Sequence, residues 1–300
     1  MSLPVTIEND ALRMEVWPHL GGKVASLIDK SDKFELFFNY PTELPTRPQY
    51  DASFQDSWYA GWDECFPAVA ASPYAGHPYN DVKVPDHGEL WGLPTTPAPT
   101  KHGITITWHG LRFGYTLTRQ LELDGPSLVA RYTLVNLAPF PFRFVWAMHA
   151  LMALTQPATL ELPGGTPMRF SHDAGGNQVN KPFAWPVTHD GSDLSRPAEL
   201  PPKRGWKVFS QEPITSPVVA RYLNRGRSME VAYASDDAVS AYWGIWVNTG
   251  GWAGHHHFAI EPTTGRFDEI DKSILDKSAG RVGPNATVTW SVRLTVRADG

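Results

Sequence analysis

Cysteine is almost missing from this 300-residue chain. Cys65 stands alone, so no intrachain disulfide can form, and a reducing compartment suits the sequence. Charge is scarce at 19% of residues, and the formal balance is −5. That removes the basic face that nucleic acid or an anionic membrane surface requires. No apolar run approaches the length that spans a bilayer. The opening residues, Met1 to Asp10, lack the basic and hydrophobic stretches of a secretory leader. A cytoplasmic protein with neither nucleic acid nor membrane as partner is expected. Helical periodicity is the remaining shortage. Its best candidate is 268–277, about two or three turns.

What is present points to strands. Hydrophobic residues make up 42%, which excludes disorder. The 27 prolines and 25 glycines follow no period, as expected of many turns between many strands. Residues 12–17 alternate apolar and polar, and Gly21-Gly22 turns the chain into a second run at 23–28. Residues 104–108 and 113–118 read as hairpin arms, and Asp124-Gly125 precedes a run at 128–135. The run 288–296 closes the chain with the same β-branched and aromatic character. The expected fold is all-β: one large antiparallel β-sandwich with few short helices, forming a single domain over residues 1–300. Residues 39–101 and 156–217 read as irregular insertions. The aromatic content of the first, including Trp58, Tyr59, Trp62, Phe66 and Trp91, predicts that it folds over one face of the sandwich.

Three residues stand out for chemistry. Glu261 ends the β-like run Phe258-Ala259-Ile260, just before Pro262. A carboxylate there is partly desolvated, which raises its pKa toward that of a working base. His149 follows Trp146-Ala147-Met148 and, in strand geometry, shares a face with Ala147 and Val145. His87 lies in Asp86-His87-Gly88-Glu89, where glycine permits close backbone approach. Imidazole titrates near neutrality and so can donate a proton. Each has a plain structural alternative: a surface glutamate beside a turn, a buried histidine bonded to a carbonyl, an exposed loop histidine. The triplet His255-His256-His257 puts two imidazoles on one strand face, too few for a metal site without nearby cysteine or carboxylate ligands. Indoles cover the apolar face of sugar rings, and Trp62, Trp91 and Trp252 lie close to these motifs. The other tryptophans read as core.

The order of these segments resembles that of the aldose 1-epimerase (galactose mutarotase-like) family. Gly21-Gly22-Lys23-Val24 is similar to its N-terminal diglycine hairpin, and Gly61-Trp62-Asp63-Glu64-Cys65-Phe66-Pro67 to the segment before its first histidine. Asp86-His87-Gly88-Glu89 resembles its His-Gly motif, residues 136–149 the strand of its second histidine, and Ile260-Glu261-Pro262 the site of its glutamate. The resemblance implies a supersandwich enzyme that interconverts the α and β anomers of an aldose. Glu261 would take the proton from the anomeric hydroxyl, His149 would protonate the ring oxygen, and His87 would orient the sugar or share the acid role. It implies a small-molecule sugar as substrate and neither cofactor nor metal. An arginine that the galactose-acting members carry is replaced here by Asp63 and Glu64. Those two are expected to accept hydrogen bonds from hydroxyls and to favour a neutral or basic sugar over a phosphorylated one. The alternative is a carbohydrate-binding protein on the same fold without turnover.

Overall fold

The computed structural model describes residues 4–39, 45–155, 157–174, 178–237 and 239–299. Two large antiparallel sheets dominate, one of eleven strands and one of eight. The eight-stranded sheet follows the alternation read from the sequence. Gly103–His109, Tyr115–Asp124 and Ser127–Asn136 are successive antiparallel neighbours, with Asp124 opposite Ser127 across the Gly125 turn. Tyr115–Asp124 alternates buried and half-exposed residues along nearly its whole length, the pattern of a sheet with one face on the core and one toward water.

The middle of the eleven-stranded sheet is different. Its order runs Lys23–Asp29, Trp62–Cys65, Ala147–Ala153, His256–Thr263, Tyr242–Thr249, Gly205–Ser210 and then Pro167–Ala174. Trp62–Cys65 and Gly205–Ser210 are buried at every position, and so is Ala147–Ala153 except at its last residue. Both faces are therefore covered. One packs on the eight-stranded sheet through a continuous apolar core that includes Trp62, Trp146, Leu117, Tyr132 and Trp290. The other is covered by the first long insertion, whose Phe54, Tyr59 and Trp91 pack on Leu151 and Ala259 of the sheet. Burying a side chain such as Phe54 stabilises by about 1.5–3 kcal/mol, which favours the ordered form of this segment.

Three expectations need correction. Residues 39–101 are not wholly irregular, because they supply Trp62–Cys65 to the middle of the sheet. Residues 156–217 are not one irregular insertion, because they contain Ala158–Glu161, Pro167–Ala174, Pro182–Ala184 and Gly205–Ser210. Pro157 and Pro217 stand just before strands, and Pro167 and Pro182 open theirs, where a missing N–H costs little. The helix is Ile270–Leu275, shorter than the run 268–277. Among the described residues no helix is long and apolar enough to cross a membrane.

Candidate functional site

Strand register assembles the site. Asp63 pairs with His149, so both point to the same face. The ladder that sets Ala147 against Thr263 and Leu151 against Ala259 brings Glu261 to His149's other side. Glu261 in turn pairs with Gly244, and Gly244 with Phe209, two residues along the strand from Lys207. A Cβ at Gly244 would stand 3.4 Å from Lys207 Cε and 3.2 Å from the Phe209 ring. The bare glycine lets the lysine stem cross this strand and reach Glu261. Lys23 completes the row from the other end by donating to Asp63 Oδ2 and, at 2.8 Å, to the Ala60 carbonyl. The outer face thus carries cation, carboxylate, imidazole, carboxylate and cation in sequence: Lys23, Asp63, His149, Glu261, Lys207.

The loop bearing His87 is fixed from several directions. His87 has φ +57°, a left-handed conformation that costs of order 1–3 kcal/mol for a residue with a Cβ. Its N–H donates to the Val69 carbonyl at 2.6 Å, and the Glu89 N–H donates to Phe66 at 2.7 Å. Gly88, at φ +76°, lies so close to Phe66 that a Cβ would fall 2.1 Å from its carbonyl oxygen. Only glycine fits there. Glu89 is buried and accepts from the Leu111 and Arg112 N–H groups and from the Tyr115 hydroxyl. It anchors the loop rather than meeting a ligand.

Asp86 accepts a hydrogen bond from His87 Nδ1 at 2.9 Å and another from the Phe54 N–H at 2.9 Å. Burial opposes the ionised form of Asp86, but these hydrogen bonds outweigh it and hold its carboxyl below the usual range. An ionised carboxylate only accepts, so His87 carries its proton on Nδ1. The Phe54 ring stacks on the His87 ring, with centroids 3.6 Å apart and planes within 9°. It meets the His149 ring edge-on at 5.1 Å. The two imidazoles themselves are 4.8 Å apart and nearly perpendicular.

Above this row lies a cavity of about 310 Å³, lined by His87, His149, Lys207, Asp86, Asp268, Phe54, Trp246 and Trp252, with His172 at its rim. Its size falls within the range of small-molecule sites, about 300–1,000 Å³. A larger depression of about 540 Å³, between Asn9 and Gly125, is lined by no Phe, Tyr or Trp among the described residues. Trp252 is held by Asn248, which accepts from the Trp252 N–H and donates to its carbonyl.

Electrostatics divides the group. Burial raises the Glu261 carboxyl, and Lys207 only partly opposes this. Its Oε2 accepts from Lys207, while Oε1 is buried without a hydrogen-bond partner. Burial, reinforced by the charges of His87 and Lys207, pushes His149 well below the ordinary imidazole value, so it is a neutral ring. Burial opposes the charge on Lys207, yet Asp268 and Glu261 together hold its ammonium above the usual value.

The residues singled out from the sequence separate accordingly. His87, His149 and Trp252 line one cavity, and Glu261 lies beside them, fully buried behind Lys207. Asp63 is buried beneath His149 in its ion pair with Lys23. Glu64 and Trp62 alternate to the opposite face of the same strand and enter the core between the sheets. There Glu64 accepts from Arg119 at 2.8 Å, Tyr132 at 2.7 Å and Trp146 at 2.7 Å. Trp62 lies under the Arg119 guanidinium. Trp91 supports the wall, donating to the Asp86 carbonyl at 2.9 Å and packing edge-on against Phe54. Direct contact of Glu64, Trp62, Asp63 or Trp91 with a sugar is therefore corrected: none lines the cavity, and each is committed to a buried partner. Lys207, Asp268, Phe54 and Trp246 were missed. A lysine in the otherwise hydrophobic run Gly205–Ser210 was the available signal for the first.

A metal has one conceivable holder among the described residues: Cys65, His87 and His149, whose ligand atoms lie within 4.8 Å of one another. Tetrahedral zinc with bonds of about 2.0–2.3 Å needs its ligands about 3.3–3.8 Å apart. Burial also pushes the Cys65 thiol well up, away from the thiolate that binds metal. The set as it stands is a poor fit. Of the triplet, His255 bonds to the Tyr59 hydroxyl at 2.9 Å and His257 is buried among aromatic rings.

No family model matches the sequence, and no curated protein matches it either. Solved structures do. The Slr1438 protein from Synechocystis superposes with a TM-score of 0.76 at 16% identity, covering 99% of this chain and 96% of that one. A galactose mutarotase-like protein from Clostridium acetobutylicum gives 0.71 at 13%, covering 98% and 95%. An aldose epimerase homologue from C. elegans gives 0.65 at 12%, covering each chain completely. Likeness at such identity shows the fold, and that fold is galactose mutarotase-like.

Proposed function

From a galactose mutarotase-like fold as premise, we propose that this chain acts as one domain and is an aldose 1-epimerase that interconverts the α and β anomers of an uncharged sugar. One observation carries the reading. A buried carboxylate with a free oxygen and two imidazoles converge at an aromatic-walled cavity, through the register that sets Glu261 beside His149. These are the groups that opening a sugar ring requires.

In ring opening, Glu261 Oε1 takes the proton of the anomeric hydroxyl, and the O1–H electrons form the C1=O1 bond. The C1–O5 electrons leave with O5, which takes a proton from an imidazolium. Asp86 supplies the counter-charge that an imidazolium at His87 needs, so His87 delivers this proton. Neutral His149 contributes a hydrogen bond to the ring. This revises the division of labour expected from the resemblance. After rotation about C1–C2, the reverse steps close the ring on the other face and restore both groups.

Among the described residues the cavity lining holds no arginine, and its lysine is already paired with two carboxylates. A phosphate ester would meet Asp86 and Asp268 without a free cation. The preference for uncharged sugars thus rests on these residues rather than on Asp63 and Glu64. The binding-protein alternative draws on a single feature, the withdrawal of Glu261 behind Lys207. Proton-NMR exchange between anomers, run on free and phosphorylated aldoses with wild type and Glu261→Gln, separates the two. Acceleration of a free aldose that the variant loses is the expected result. Saturable sugar binding without acceleration would establish the alternative, and a preference for a phosphorylated hexose would overturn the proposed substrate class.

A further inference from the structure

The side chain that faces the cavity at the carboxylate end of the row is Lys207, not Glu261. Lys207 lines the cavity while only 6% of its side chain is exposed. It donates to Glu261 Oε2, and Asp268 Oδ1 stands 3.7 Å from the same nitrogen. That Asp268 oxygen is buried and has no hydrogen-bond partner. Asp268 is also well anchored, since its carbonyl accepts from both the Val69 and Ala70 N–H groups on the cavity wall. One ammonium therefore lies between two carboxylates, bonded to the first and within a short movement of an unoccupied acceptor on the second.

We propose that Lys207 is a positioning residue that tunes the base, bonding to Glu261 while the carboxylate is ionised and shifting toward Asp268 when Glu261 has taken the substrate proton. This rests on the reading of Glu261 as the base. When Glu261 becomes neutral its attraction for the ammonium falls, and a buried ammonium with no anion beside it would be costly. Asp268 removes that cost, so loading the proton is easier than with a lysine tied to Glu261 alone. When Glu261 gives the proton back, the ammonium returns. No atom is gained or lost, and the proton that moves is the sugar's own. Gly244 is part of the device, because it clears the path of the lysine stem.

The titratable groups around Glu261 come from every element packed on it. They are Lys207 on Gly205–Ser210, Asp268 on the turn before the helix, His149 on Ala147–Ala153, Cys65 on Trp62–Cys65 and His87 on the covering loop. Only Lys207 and Asp268 change charge in the two variants that follow, and they push Glu261 in opposite directions. Lys207→Met removes the cation and leaves burial unopposed, so the acid limb of the kcat profile moves up by about one pH unit or more. Asp268→Asn removes a repelling charge and ties Lys207 to Glu261, so the limb moves down and plateau kcat falls.

The experiment is the pH dependence of anomer exchange for wild type, Lys207→Met, Asp268→Asn and Glu261→Gln. Opposite shifts in the two middle variants, with KM changed less than kcat, are expected. Acid limbs that coincide with wild type, or that shift the same way, would overturn the role of Lys207 while an inactive Glu261→Gln leaves the base assignment standing. Full activity in Glu261→Gln would overturn the base assignment itself. Asp268 lies at the edge of the cavity with 18% of its side chain exposed. Its variant therefore keeps the test decisive should Lys207→Met fail to fold.

Discussion

Glu64 and Glu261 are both fully buried carboxylates, and each is paired with a buried cation: Arg119 for the first, Lys207 for the second. They differ in what their oxygens hold. Glu64 receives three donors, two on Oε1 and one on Oε2. Two of them, from Arg119 and Tyr132, reach across from the eight-stranded sheet, while Glu64 belongs to the eleven-stranded one. Glu261 receives one donor and keeps a bare oxygen. A buried carboxylate with all its donors has nothing left to do but hold the sheets together. A half-satisfied one keeps a lone pair for a proton, and the desolvation that raises its pKa also makes that lone pair a stronger base. The count of donors separates architecture from chemistry where burial and charge do not.

The same substitution at the two positions puts this contrast at risk. Glu261→Gln is expected to lower kcat by about 10²–10⁴-fold, with sugar affinity kept. Glu64→Gln leaves the Arg119 charge uncompensated in the core and is expected to cost about 3–5 kcal/mol of stability, read as a fall in the urea midpoint. Its folded fraction should turn over sugar at near the wild-type rate. A Glu64→Gln protein that stays stable but loses turnover would break the distinction.

Asp63 sharpens it. It pairs with buried Lys23, and its Oδ1 is bare like Glu261 Oε1, yet its cation does not line the cavity as Lys207 does. Burial raises its carboxyl against the opposing lysine charge. Asp63→Asn is expected to cost stability through the stranded Lys23 and to lower kcat by less than about tenfold. Anomer exchange and urea denaturation on one preparation give both numbers. A loss as large as that of Glu261→Gln would mean that a free oxygen alone, without a cavity-lining cation beside it, identifies a working group.

Much of this was legible in the sequence, for physical reasons that can be named. Strand alternation alone sends Asp63 and Glu64 to opposite faces. Which face is the core depends on Arg119, which is 55 residues away in sequence on the other sheet, and no local pattern announces it. The His87-Gly88 pair was readable because the backbone contact with Phe66 admits only glycine. Lys207 and Asp268 were not readable. Their meeting with Glu261 depends on strand order and on the missing side chain of Gly244, both settled by the whole sheet. The strands within 156–217 escaped notice because their prolines mimic the composition of a loop.

At the far end of the series stands His257, whose ring is completely buried and whose two nitrogens both lack a partner. Its ring neighbours are Phe38, Tyr59, Trp246 and Trp252. Burial first, and then His255 and His256, push its pKa down to about 3. In the unfolded chain the same ring titrates near about 6.5. Between these values the unfolded state binds the proton that the folded state refuses, so stability rises with pH through that window. The contribution is complete above the unfolded value and is lost progressively as pH falls toward 3. His149, also held neutral by burial, acts in the same direction. Urea midpoints measured between pH 4.5 and 7.5 should therefore climb steeply for the wild type and less steeply for His257→Phe. Equal slopes would mean that the ring is charged in the folded state and has a partner. The acid limb that the proposal assigns to Glu261 should stay in place in this variant, because the His257 ring packs among aromatic rings.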